Sequence, residues 1–127
     1  MTKLFVYGSL KKGERLDFYL KNMNFLGECS IKGDLYVSGT DKNHLVTITL
    51  PKRDSPKKEI KKFDDIKGEV YEVNRDRFDM IRNIEGAYQK RNIKTDFGEA
   101  FVFHIPKTYL GDWIRFKNDS WTGINRT

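Results

Sequence analysis

Two features of this sequence have residue types that can do chemistry. The first is Tyr7-Gly8-Ser9-Leu10, where a short apolar stretch ends in glycine and a small hydroxyl residue. Backbone N–H groups exposed in such a turn form a concavity suited to a carboxylate. The second is Glu85, which follows Ile84 at the end of an apolar helical pattern and precedes Gly86 and Tyr88. A carboxylate there can be partly desolvated, which raises its proton affinity and suits it to proton exchange near neutral pH. Taken singly, the first is also an ordinary turn and the second an ordinary helix-end glutamate. Other chemistry has less support. The two histidines, His44 and His104, lie far apart, and neither Cys-x-x-Cys nor His-Glu-x-x-His occurs, so no metal site is expected. A P-loop is excluded by the absence of Gly-x-x-x-x-Gly-Lys-Ser/Thr. His104 falls in a strand and reads as a packed or surface histidine.

The elements that must position these residues follow from periodicity. Lys3 to Tyr7 reads as a strand running into Gly8-Ser9. Leu16, Tyr19, Leu20 and Met23 recur at helical spacing and predict an amphipathic helix over 14–23. Asp34–Val37 reads as a strand. His44 to Leu50 reads as another, with Val46, Ile48 and Leu50 on its one buried face and Thr47 and Thr49 opposite. Gly68–Val73 is a further strand. Asn74 is an N-cap candidate for a helix over 75–84, with Phe78, Ile81 and Ile84 on one face, Met80 beside them and Gly86 as its stop. Residues 91–96 and 99–105 read as a hairpin around Phe97-Gly98. Trp113 is expected against the core. About six strands and two helices without βαβ alternation predict an α+β domain: a small mixed, partly closed, barrel-like sheet with two packed helices.

The 127 residues fit one domain, 1–127, and suffice for one core. A single cysteine, Cys29, permits no intrachain disulfide and favours a reducing compartment, so a cytoplasmic location is expected. No run approaches the roughly 20 apolar residues of a membrane helix, and the N-terminus reads as a strand rather than a signal peptide, so no membrane association is expected. The net charge of +6 is concentrated between Pro51 and Lys62, where six basic residues meet only Asp54 and Glu59. That segment reads as a solvated loop. A polyanion contact is the alternative, but no aromatic residue interleaves the lysines before Phe63, so nucleic acid is not expected as a partner.

In order and spacing, Val6-Tyr7-Gly8-Ser9-Leu10, Gly68-Glu69-Val70-Tyr71, and Glu85-Gly86 with Tyr88 and Arg91 resemble the γ-glutamylcyclotransferase-like family. Phe25-Leu26-Gly27 and Gly111-Asp112-Trp113 extend the resemblance over residues 4 to about 113. It is nearest to the short members that include γ-glutamylamine cyclotransferases, which carry Tyr-Gln-Arg where this chain has Tyr88-Gln89-Lys90-Arg91. Asn83 stands where many relatives have Asp. The resemblance implies cyclisation of a γ-glutamyl amine or γ-glutamyl amino acid to 5-oxoproline, with no cofactor. Glu85 would be the general acid/base. Backbone N–H groups of Gly8, Ser9 and Leu10 would hold the α-carboxylate. Tyr7 would line the cavity, and Tyr88 could donate a hydrogen bond near the reacting end. Arg91 could simply pair with a surface carboxylate. A binding module for a carboxylated metabolite, with Glu85 as a polar liner, stays open. A hydrolase using Ser9 is disfavoured, because no histidine lies near it in sequence and no Gly-x-Ser-x-Gly occurs.

Overall fold

The structure is a computed structural model and describes residues 1–8, 10–12, 14, 17–37, 46–85, 88–105 and 113–116. Ser9, His44, Gly86, Gly111, Asp112 and Trp121 therefore lie outside the described residues.

Seven strands form one mixed sheet: β1 (Thr2–Val6), β2 (Asn24–Val37), β3 (Val46–Thr49), β4 (Asp64–Val73), β5 (Gln89–Thr95), β6 (Gly98–His104) and β7 (Ile114–Phe116). The order is β3-β2-β4-β1-β6-β5, with β7 also on β2. Among the described residues, only β1 and β6 pair in parallel. The expected strand at Asp34–Val37 is the last part of the much longer β2. Residues Asn24–Gly33 pair with β4, and Asp34–Val37 then pair with β3 while Leu35–Val37 also take β7. Gly27 allows an irregularity earlier in β2, within the part paired with β4. It sits at a register shift with φ 148°, and a Cβ there would fall 2.5 Å from the Phe97 ring.

The curled sheet encloses one core, with Phe5, Tyr7, Ile31, Leu35, Ile48, Ile66, Val70 and Val102 buried inside it. A second core lies on the outer face, where Leu4, Val6, Tyr71, Val73 and Phe103 meet the helices. The sheet is not closed. Between the free edges of β3 and β5–β6 runs a seam bridged by isolated bonds: Tyr88 Oη to the Val46 carbonyl (2.7 Å), Arg91 Nη2 to the Pro51 carbonyl (2.5 Å), and the Ile105 amide to Thr47 Oγ1 (2.7 Å).

Helix α1 (Lys57–Ile60) is a single turn inside the expected basic loop, and α2 (Arg75–Ile84) is the predicted second helix. Asn74 caps α2, its side chain accepting from the Arg77 amide at 2.8 Å. Phe78 and Ile81 are buried, but Ile84 and Met80 are exposed, so the apolar stripe is narrower than its spacing suggests. The helix expected over 14–23 is instead a 3-10 turn, Asp17–Leu20, flanked by i→i+3 bonds at Glu14, Lys21 and Met23. Asp17, Phe18, Tyr19 and Asn22 are weak helix formers, and Asn22 is left-handed at φ 68°. The turn still seats Leu20, Tyr19 and Met23 on the outer core. Asn74→Ala is expected to cost about 1 kcal/mol through loss of the α2 cap. It should lower the urea unfolding midpoint without changing the slope, and an unchanged midpoint would show the cap to be idle.

Candidate active site

Strand β1 and helix α2 approach from different parts of the chain, and their ends meet. Tyr7 follows the last residue of β1 and is 6% exposed. Its hydroxyl donates to the Phe103 carbonyl at 2.6 Å. Burial first, then the charges of Tyr88 and Glu85, push its proton affinity well above the ordinary phenol, and bonds from Thr47 and the Ile48 backbone oppose this. Tyr7 is therefore a protonated wall whose own proton is already committed to the sheet.

Glu85 is the C-cap of α2. Its amide donates to the Ile81 carbonyl at 2.9 Å, which fixes the backbone, and the chain turns so that the Tyr88 amide bonds to the Glu85 carbonyl. Burial of the side chain raises its carboxyl to about 7. Among the described residues no cation lowers it again, so the group is divided between acid and carboxylate at neutral pH. Tyr88 is raised by burial and then by the Glu85 charge, and its hydroxyl proton is engaged with the Val46 carbonyl at 2.7 Å. Tyr7, Glu85 and Tyr88 thus share one electrostatic neighbourhood, with Thr47 beside Tyr7.

Strand β3 reaches this point with both faces buried, a correction to the single buried face its alternation suggests. Thr47 is fully buried, and its hydroxyl takes the Ile105 amide. A polar face in the sequence is here the lining of an interior. Gly8 has no left-handed φ, contrary to a turn that needs glycine. A Cβ there would meet the Val46 side chain at an ordinary 3.5 Å. Leu10 is buried in the outer core and can offer a ligand only its backbone. Ser9, between them, lies outside the described residues. The loop is held from behind by Glu69, which accepts the Lys12 amide at 2.8 Å and the Tyr71 hydroxyl at 3.1 Å. Sequence reasoning missed Thr47 and Glu69 as positioning groups. Complete burial of one and a loop contact 57 residues away for the other leave no local signal beyond residue type.

Among the described residues, Arg91 pairs with no carboxylate. Its guanidinium binds the Pro51 carbonyl across the seam. The extra residue, Lys90, faces the other way and lies 4.6 Å above the Phe101 ring. His104 is half-buried in β6, and burial and then Arg91 hold its proton affinity below the ordinary value, so it is neutral at pH 7. Asn83 is exposed in the last turn of α2.

The model of the gamma-glutamyl cyclotransferase, AIG2-like family matches residues 4–123. The chain belongs to that family. A curated relative from Pyrococcus horikoshii named "Putative gamma-glutamylcyclotransferase" is 36% identical over 105 residues, which is 80% of this chain and 77% of the relative. The crystal structure of that Pyrococcus horikoshii protein superposes with a TM-score of 0.64 at 29% identity, covering 83% of this chain and 78% of its own. An AIG2-like protein from Mus musculus superposes with a TM-score of 0.72 over 96% of this chain and 88% of its own. At 17% identity it shows the shared fold alone. The family and its fold agree with the mixed sheet and two helices described above, and they mark the chain as a γ-glutamylcyclotransferase-like enzyme. Among the described residues, no helix is long and apolar enough to cross a membrane.

Proposed function

We propose that this family member converts a γ-glutamyl amine or γ-glutamyl amino acid to 5-oxoproline with release of the amine, with Glu85 as general acid/base. The observation that carries the reading is the Glu85 carboxyl, raised by burial to about 7 at the junction of Tyr7 and Tyr88. In the reaction the substrate's α-amino nitrogen attacks its own γ-carbonyl carbon. A C–N bond forms to close the ring, and the C–N bond to the leaving amine breaks. One proton moves from the attacking nitrogen to the leaving nitrogen, and Glu85 carries it, so no water is consumed. A carboxyl near 7 suits both halves of that transfer. Folding the substrate into ring-closing geometry supplies much of the remaining rate. The backbone around Gly8, Ser9 and Leu10 would hold the α-carboxylate, with Tyr7 and Tyr88 as walls.

The test is release of 5-oxoproline from a panel of γ-glutamyl amines and γ-glutamyl amino acids. Release is expected from at least one, and the best leaving group defines the specificity. No release by folded protein from any of them would turn the reading toward a binding module for a carboxylated metabolite. The pH dependence gives a second check. The base form of Glu85 must be present to take the first proton, so kcat/KM should rise with pH along a limb of apparent pKa about 7. A limb near 4.5 would place the catalytic carboxylate in water and exclude the buried Glu85.

A further inference from the structure

The seam between β3 and β5 has two ends. Tyr88 and Val46 close one beside Glu85, while Arg91 and Pro51 mark the other, roughly 10 Å further along the β5 side. At that second end lies a cleft of about 580 Å³, built from β2, β5 and the segment from Leu50 to α1. Neither Glu85, Tyr7 nor Tyr88 lines it.

Its lining is divided by chemistry. Ile31, Leu50, Ile60 and Ile93 form an aliphatic floor. Around it stand Lys32, Lys52, Arg53, Arg91 and Lys94, against the single carboxylate of Glu99. Lys32 is paired with Asp65 at 2.9 Å. Among the described residues, no carboxylate pairs with Lys52, Arg53, Arg91 or Lys94. Arg91 is half-buried, and its charge is disfavoured first by that burial and then by Arg53 nearby. The Pro51 carbonyl holds it in place. A solvated basic loop would spread its charges. Here β2, β5 and the Lys52–Arg53 turn each bring cations to the border of one hollow that also has apolar lining.

We propose that this cleft is a binding site, separate from the Glu85 site, for a small molecule carrying two or more phosphates on a body with an apolar face. Several uncompensated cations within one cleft match a polyphosphate better than a single carboxylate, and guanidinium groups fit phosphate oxygens as two-pronged donors. The volume is in the range of small-molecule sites and exceeds what bare phosphates would fill, so the aliphatic floor is left to take the rest of the ligand. Among the described residues, no aromatic side chain lines the cleft for base stacking, which separates it from a single-stranded nucleic-acid groove.

ATP serves as the probe, with binding to the full chain followed by calorimetry beside inorganic triphosphate and a single-stranded oligonucleotide. ATP is expected to bind at least ~10-fold more tightly than triphosphate, and less tightly as salt is added. Arg53→Glu combined with Lys94→Glu, both at exposed positions, should weaken ATP by at least ~10-fold without altering the unfolding midpoint. Glu85→Gln should leave ATP binding unchanged. Undetectable ATP binding to the native chain at millimolar concentration would overturn the proposal, as would equal affinity in the charge-reversed variant. Triphosphate binding as tightly as ATP would remove the role of the floor. An oligonucleotide outcompeting ATP would make the surface a nucleic-acid contact, and loss of ATP binding in Glu85→Gln would merge the two sites.

Discussion

Glu85→Gln is expected to lower 5-oxoproline release by about two to four orders of magnitude and, in the same chain, to raise stability above pH 7. The two effects share one cause. Burial pushes the folded-state carboxyl up to about 7 from an ordinary 4.5. Below about pH 4.5 the group is protonated in both folded and unfolded chains and costs nothing. As the pH rises toward 7, the unfolded chain ionises freely while the folded chain must either keep its proton or bury a charge. Glu85 therefore makes the fold progressively less stable between about pH 4.5 and 7, and the full penalty persists above. The shift corresponds to about 2 kcal/mol once the partial exposure of the side chain is allowed for. Glutamine keeps the shape and cannot ionise. Thermal unfolding of the two chains should coincide near pH 4.5 and separate at pH 8, with the variant melting several degrees higher. A residue whose loss removes turnover while improving the fold is held for its chemistry. Unchanged turnover would refute the catalytic role. A variant that is less stable at pH 8 would mean that the carboxylate is anchored by contacts rather than strained by burial.

Gly68→Ala is expected to destabilise the fold by about 2–3 kcal/mol, a large share of a small domain's net stability. Gly68 lies in β4 opposite Cys29 of β2, one position beyond the Val6–Glu69 pair with β1. A Cβ there would sit 2.4 Å from Phe5 Cζ and 2.5 Å from the Val6 carbonyl oxygen. Phe5 is 1% exposed and packed on every side, and the Val6 oxygen belongs to the β1 backbone, so neither can retreat cheaply. Moving β1 would also displace Tyr7, the next residue. The measurement is the urea unfolding midpoint, together with that of Phe5→Leu and of the double variant. The double variant should lose less stability than the sum of the singles, because a shorter side chain at position 5 relieves part of the clash and leaves the carbonyl. A Gly68→Ala chain within about 0.5 kcal/mol of native would show that the two strands have room to part.

The elements that local pattern specifies are short apolar runs and well-marked caps and turns. Strand β1 and the Gly68–Val73 part of β4 are short runs buried on both faces, the helix is marked by its Asn74 cap and the spaced Phe78 and Ile81, and the hairpin by its Phe97-Gly98 turn. The 3-10 turn at Asp17–Leu20 shows the limit. Leu20, Tyr19 and Met23 are spaced for a helix, but only a few contacts are required of them, and tighter i→i+3 turns with a left-handed Asn22 satisfy those. Strand β2 was legible only at its end, because it pairs with β4 first and with β3 and β7 later, so its exposure changes along its length. Strand β7 is three residues long and gains its place only by taking the edge of β2 that β4 leaves.

The chemistry divides the same way. Glu85 after an apolar helix face, and Tyr7 where β1 ends, are positions that the sequence by itself determines, since each follows from the register of one element. The charge state of Glu85 does not follow from its neighbours in sequence. It comes from burial in a neighbourhood that includes Tyr7, far away in sequence, and desolvation is a property of the assembled surroundings. The same reason governs Thr47, polar by type yet fully enclosed, and Glu69, whose carboxylate steadies the loop at Lys12. It also governs the basic cleft. Lys52 and Arg53 are visible as a charge run, but Arg91 and Lys94 join them only because the curled sheet brings its two edges face to face without closing. Short-range pattern decides which side of an element is apolar. Only the tertiary structure decides what that side is pressed against, and proton affinity and ligand affinity depend on that.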